Sequence, residues 1–336
     1  MENKLVSSWY NLQTSVPSSY VQPPERRPGN AVLATDLKIP VIDLGGEDRD
    51  AIIRNIIKSS EEYGFFQVIN HGVGEEVVEG AMRIFKEFHA MPMEEKIRES
   101  SKDPNKSCKL YTSSGRNCQD VARYWKDSLQ HLCPPSGQFR EFWPQKPDGY
   151  RNVIEKYTEE LSKLGQKILD LISEGLGLGP KYFDGDFSSD PLVISHHYPP
   201  CPEPSLTLGT SSHKDPNILT ILLQQEGITA LQVRKNEAWI PVEPIPNAFV
   251  VNMGFMLQII SNGRLIGAEH RVVTNSGTVA RHTIAYFINP TKETLIEPAK
   301  PLLSANSPPI YKSMTFGEVL GYFMNKGPYF EPEMRL

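Results

Sequence analysis

From residue 192 onward the chain is cut into short runs of β-branched and aromatic residues, each closed by a turn signal: 192–198, 218–224, 231–233, 239–242, 248–252, 270–274 and 283–288. Runs this short and this regularly punctuated predict a two-sheet sandwich or jelly roll. Helical periods dominate the part before them. Ile52, Ile53, Ile56 and Ile57 keep i, i+4 spacing, a second period runs over 77–88, and Ile154, Tyr157, Leu161, Leu164, Ile168 and Ile172 line one face of 153–176. Gly175, Gly177 and Gly179 stop that last helix. Two strand-like runs stand among the helices, at 39–44 and at 64–72, the second ending on Asn70-His71-Gly72. The fold class expected is therefore α+β: a jelly-roll core in residues 191–336, with a helical and strand region in 1–190 buttressing it.

The first forty residues are rich in Pro, Ser and polar groups and hold no period, as an arm lying over the body would be. Residues 101–123 read as a long, polar, irregular segment, either a loop of the kind that covers or contacts a substrate or a disordered stretch. A hydrophobic fraction of 39% and a charged fraction of 22% describe an ordinary globular chain, neither disordered nor membranous. With 35 Lys and Arg against 40 Asp and Glu, the net charge of −5 gives nucleic acid or an anionic membrane no electrostatic support, so a small molecule is the expected partner. A monomer is the expected state. Cys108, Cys118, Cys133 and Cys201 show no C-x-x-C spacing and read as unpaired thiols. Residues 1–5 lack the apolar stretch of a secretory signal, and no run of about 18 apolar residues occurs, so a cytoplasmic address is expected.

Chemistry concentrates in His213-Lys214-Asp215. If that triplet is extended, His213 and Asp215 share a face and Lys214 points away. His270 opens a later strand, far enough along the chain to return from another part of a barrel. Two imidazoles and one carboxylate without a thiolate form the ligand set of a facial triad, which leaves the opposite face of Fe(II) open. Each piece alone has a plainer reading, since His-x-Asp arises by chance and a lone histidine usually packs or bonds. Arg281 and Thr283 share a face of the next strand, and a guanidinium leading into Ile284-Ala285-Tyr286-Phe287 needs an anion, either a bound acid or an internal Asp or Glu. Tyr198 can offer a hydroxyl to the same acid or simply pack. His71, beside its turn glycine, reads as a structural hydrogen-bonding residue.

Taken together, these segments resemble the plant Fe(II)- and 2-oxoglutarate-dependent dioxygenases. The likeness rests on the motifs at 39–44 and 64–72, Tyr198-Pro199-Pro200-Cys201-Pro202, His213-x-Asp215, Leu219-Thr220-Ile221-Leu222, Ser261-Asn262-Gly263, His270-Arg271-Val272 and Arg281-x-Thr283, spread over nearly the whole chain. Within that family it resembles the hyoscyamine 6β-hydroxylase branch, through Tyr124-Trp125-Lys126-Asp127, Ile296-Glu297-Pro298-Ala299-Lys300 and Pro308-Pro309-Ile310-Tyr311-Lys312. The resemblance implies a double-stranded β-helix core and His213, Asp215 and His270 as iron ligands. It also implies that 2-oxoglutarate is held at its distal carboxylate by Arg281, Thr283 and Tyr198, that O2 is a cosubstrate and that ascorbate is the reductant. Three positions depart from the family: Thr283 stands for the usual serine, His196 for an asparagine and Phe255 for an aspartate.

The activity so implied is hydroxylation, epoxidation or desaturation of a small specialised metabolite, an alkaloid or a terpenoid. Lys109, Arg116 and Arg123 outnumber Asp103 and Asp120 in the 101–123 loop, which gives a cationic amine no obvious anchor there. Phe255, Tyr286 and Tyr111 are candidates for the pocket lining, with core packing the alternative for the first two. An iron oxidase of the same fold that needs no 2-oxoglutarate, a binding protein that has lost turnover, and a zinc hydrolase are the competing readings.

Overall fold

The computed structural model describes residues 4–100, 107–113, 122–327 and 330–336. An arm of short 3-10 turns leads to β1 (Val41–Asp43), α1 (Arg49–Glu62), β2 (Phe65–Ile69), α2 (Glu75–Ala90), α3 (Met93–Ser100), β3 (Cys108–Thr112), β4 (Asp127–Leu132) and α4 (Tyr150–Leu176). The remaining elements are β5 (Leu192–Tyr198), β6 (Leu208–His213), β7 (Leu219–Gln224), β8 (Leu231–Lys235), β9 (Ala238–Pro241), β10 (Phe249–Met253), α5 (Phe255–Ile260), β11 (His270–Val273), β12 (Arg281–Ile288), β13 (Leu295–Ile296), β14 (Met314–Thr315) and α6 (Phe316–Lys326). An eight-stranded sheet in the order β1-β2-β10-β7-β12-β5-β4-β3 faces a four-stranded sheet in the order β6-β11-β8-β9, the two walls of the expected jelly roll. β1 to β4 come from the part of the chain before residue 190 and belong to the same large sheet as β5, β7, β10 and β12.

The sequence pattern explains most of this. α4 is long because its apolar stripe, with Ile154, Tyr157, Leu161, Leu164, Ile168 and Ile172 all buried, lies on the outer face of the large sheet. Gly165 lets the helix approach β7 and β12, since a Cβ there would meet the Ile288 side chain. Gly177, with φ +73°, ends it in the left-handed conformation that glycine adopts without a Cβ penalty; Gly175 remains inside the helix. A second apolar cluster, including Phe65, Leu231, Val233, Ile240 and Val250, packs between the sheets.

One expectation needs correction. Residues 107–113 are not irregular: β3 pairs with β4, Leu110 opposite Leu129. The strand is short and lies at the sheet edge: Cys108 and Leu110 pack on the core while Lys109 and Tyr111 line the cavity, an alternation too brief and polar to stand out in the sequence. Residues 101–106 and 114–121 of the presumed loop, with Cys118, Arg116, Asp103 and Asp120, lie outside the described residues. β4 and β6 were also not separately legible, because both are polar runs whose inward groups serve a cavity.

Candidate metal and cosubstrate site

β6 ends on His213, and antiparallel pairing sets it opposite His270, the first residue of β11. The chain continues past Lys214 to Asp215, whose backbone carbonyl accepts from Phe255 N at 2.7 Å. Asp215 Oδ1 lies 3.3 Å from His213 Nε2 and 3.7 Å from His270 Nε2, and the donor atoms of all three residues lie within 4.8 Å of one another. No other cluster of three such groups occurs among the described residues.

Each donor is oriented from behind. His213 Nδ1 donates to Ser211 O at 2.8 Å and His270 Nδ1 to Ala268 O at 3.2 Å, which leaves both Nε2 lone pairs facing inward. Asp215 Oδ2 accepts from Thr220 Oγ1 at 2.7 Å and Asn252 Nδ2 at 2.9 Å, so Oδ1 is the oxygen left to meet the imidazoles. Asn217 Nδ2 in turn donates to the Thr220 hydroxyl at 2.9 Å, which aims the hydroxyl proton at Asp215. Burial alone would raise the Asp215 carboxyl, but His270, His213 and Thr220 outweigh it and hold the group well below the usual carboxylate range. Burial and the neighbouring His213 push His270 down to about 4, so at neutral pH it is a free base able to donate a lone pair.

The donors lie in the wall of a cavity of about 540 Å³. Deep in that cavity, β12 places Arg281 opposite Tyr198 and Thr283 opposite His196 on β5. Arg281 is 1% exposed, its Nη2 donates to the neutral Gln224 Oε1 at 2.8 Å, and its Nε and Nη1 meet no hydrogen-bond partner. Among the described residues no carboxylate pairs with it. A buried guanidinium with two nitrogens unpaired among the described residues, walled by the Tyr198 ring (5.3 Å) and the Thr283 strand position, has the chemistry to take an anion. The site therefore fits both groups it would have to hold: a 2-His-1-carboxylate set with an open side, and a fork for the far end of a diacid.

Among the predicted residues, His213, Asp215, His270, Arg281, Thr283, Tyr198 and Tyr111 all border this one cavity. Phe255 and Tyr286 do not. Phe255 is fully buried between Tyr311 and Phe330, and Tyr286, 2% exposed, points to the α4 side of the sheet, as the two-residue alternation from Thr283 requires. His196 reaches the cavity wall, its Nδ1 2.8 Å from Ser128 Oγ. His71 has the structural role expected, bonding Asn247 O and Val73 N. Sequence reasoning missed Thr220 and Asn252, whose only signal was a polar residue inside an apolar strand, and Lys126, whose Nζ donates to Thr210 Oγ1 at 2.9 Å at the cavity wall. Towards the mouth, Leu192, Ile194 and Phe287 give an apolar floor and α6 closes the side with Phe316, Leu320 and Phe323.

This fold and this site have clear relatives. Residues 189–290 match the 2OG-Fe(II) oxygenase superfamily, and residues 39–147 match the N-terminal region of a non-haem dioxygenase in morphine synthesis. The chain is 39% identical to hyoscyamine 6-dioxygenase of Hyoscyamus niger, covering 96% of both, and 38% identical to the protein DOWNY MILDEW RESISTANCE 6 of Arabidopsis thaliana, covering 97% of this chain and 96% of that one. A crystal structure of JOX2 in complex with 2OG, Fe and JA superposes with a TM-score of 0.88 at 35% identity, over 98% of this chain and 97% of the other. The chain belongs to the 2OG-Fe(II) oxygenase family: it is a 2-oxoglutarate-dependent dioxygenase that uses Fe(II), 2-oxoglutarate and O2. No described helix is long and apolar enough to cross a membrane.

Proposed function

We propose that His213, Asp215 and His270 ligate the ferrous ion, that Arg281, Thr283 and Tyr198 hold the distal carboxylate of 2-oxoglutarate, and that the enzyme hydroxylates a small specialised metabolite with a largely apolar body. The observation that carries this reading is the pair of ends found in one cavity: three inward-facing donor atoms within 4.8 Å, and a buried guanidinium with two nitrogens unpaired among the described residues. When bound, iron and cosubstrate supply the oxidising power, O2 and 2-oxoglutarate leaving as succinate, carbon dioxide and the oxygen atom of the new alcohol. The chain's own part is to fix one oxygen of Asp215 through Thr220 and Asn252, to keep both histidines in the Nε2-donating tautomer, and to neutralise the cosubstrate's far charge at Arg281. Epoxidation or desaturation needs the same parts and differs only in where the substrate is held.

For the substrate, the apolar floor and the α6 wall favour a hydrocarbon skeleton such as a terpenoid. Asp190 at the mouth offers the carboxylate that an alkaloid amine would want, but Lys109 and Lys292 line the same cavity and oppose a cation.

The test is succinate formation with iron, ascorbate, 2-oxoglutarate and candidate terpenoids and alkaloids. His213→Ala is expected to abolish it. Arg281→Ala is expected to raise the 2-oxoglutarate requirement about 10- to 100-fold, the loss of charge-assisted hydrogen bonds in a buried site. An unchanged requirement would remove Arg281 from that role, and a fully active His213→Ala would remove the metal assignment.

A further inference from the structure

Lys214 stands between two of the proposed metal ligands and faces away from the cavity, yet it is not idle. Its Nζ donates to Glu331 Oε2 at 2.6 Å, with both side chains about three-quarters or more shielded from solvent. Glu331 is the hub of the C-terminal segment. Its other oxygen accepts from Gln258 Nε2 at 3.2 Å and Arg335 Nη2 at 2.8 Å, and Gln258 also reaches Tyr311 OH at 2.6 Å and Gly267 N at 2.9 Å. Next to the hub, the Phe330 ring sits edge-on to Phe323 of α6 at 5.3 Å and to Phe255 at 4.8 Å. Phe255 N is the donor to Asp215 O. Thus α6, which walls the cavity with Phe316, Leu320 and Phe323, continues into a segment whose carboxylate grips the residue between His213 and Asp215.

From this arrangement we infer that Lys214 and Glu331 are positioning residues: their ion pair is a latch that holds the C-terminal wall of the pocket and the metal-ligand loop in one register. It rests on the metal-site reading above. The aspartate-to-phenylalanine departure at 255 belongs to the same device, since an aromatic ring there gives Phe330 its seat and the Lys214 ammonium a π face at 5.8 Å. A charge-assisted contact behind a ligand loop acts on metal affinity through the ligands it orients.

The experiment loads the full chain with Co(II) without oxygen and reads both its dissociation constant and its visible absorption bands, which report ligand geometry with no organic substrate needed. Lys214→Met and Glu331→Gln are each expected to weaken Co(II) about tenfold and shift the bands. The exchanged pair Lys214→Glu with Glu331→Lys should recover most of both. Arg335→Met, which removes another partner of the same carboxylate without touching the ligand loop, is expected to lower thermal stability alone. The inference is overturned if both single variants keep the native affinity and spectrum, or if Arg335→Met shifts Co(II) as much as they do. Its failure is separable from failure of the metal site, because His213→Ala must abolish the Co(II) bands in either case.

Discussion

Thr220 and Asn252 decide which oxygen of Asp215 can meet a metal, and this makes a prediction at the scale of one atom. Thr220→Val keeps the volume of a side chain that is 3% exposed but removes the 2.7 Å hydroxyl donor. Metal affinity should fall about tenfold with the fold intact, as for other groups that orient ligands; a valine variant that binds Co(II) as the native protein does would show that Asn252 alone suffices. The asymmetry between these residues and the ligands also explains what could be read beforehand. His213, Asp215, Arg281 and Thr283 are legible because they recur at two-residue spacing and are chemically expensive to bury without a purpose. Asn252, Gln224 and Glu331 act across separations of 37 to 117 residues, and Thr220, only five residues from Asp215, is marked by no more than a hydroxyl inside an apolar strand. Phe255 and Tyr286 were plausible pocket aromatics only because sequence does not say which side of a strand or helix meets a cavity and which meets the core.

Among the elements, strands with an apolar face were legible and strands serving a cavity or an edge were not: β7, β10 and β12 stand out, whereas β3, β4 and β6 are polar where they do their work. The arm was legible only as a non-periodic leader. In the structure its Val6 and Ser7 amides each donate to the buried Asp127 carboxylate at 2.8 Å, and Trp9, Tyr20 and Trp125 pack edge-to-face with centroids 5.3–5.5 Å apart. Tyr124 and Lys126, on either side of Trp125, line the cavity, so the arm braces one of its walls. Trp9→Ala should cost about 3–5 kcal/mol of arm docking and speed limited proteolysis within the first 22 residues, with Co(II) binding retained. Cleavage no faster than in the native protein would mean that the backbone bonds to Asp127 hold the arm unaided. At the α5 start, a Cβ on Gly254 would collide with the Asn217 carbonyl. Gly254→Ala is therefore expected to destabilise by about 1–3 kcal/mol and to weaken metal binding together, by displacing the 215–217 turn; denaturant titration and Co(II) affinity read the two effects.

Across the whole molecule, buried neutral histidines set how the fold responds to acid. Burial pushes His131 and His197 down to about 3 and His282 to about 4, from an ordinary 6.5. His131 meets Tyr150 OH at 3.0 Å, and His197 and His282 share a 2.8 Å hydrogen bond. Below pH 6.5 the unfolded chain takes up protons that the folded chain refuses, so stability falls as pH falls and levels off only once the folded histidines titrate, near 4 and below. Each contributes up to about 1.4 kcal/mol per pH unit across that window. Urea midpoints should drop steadily from pH 7 to pH 5, and less steeply in His131→Gln; a midpoint unchanged over that range would contradict the prediction. The large helix-backed sheet, the smaller facing sheet and the cavity between them all serve one arrangement, three donors facing a guanidinium. Its most direct test is a crystal structure of the protein with Mn(II) and 2-oxoglutarate. The expected result is a single ion bonded to His213 Nε2, Asp215 Oδ1 and His270 Nε2, with the diacid spanning from it to Arg281; an ion bound elsewhere, or a diacid whose far carboxylate avoids Arg281, would contradict the account.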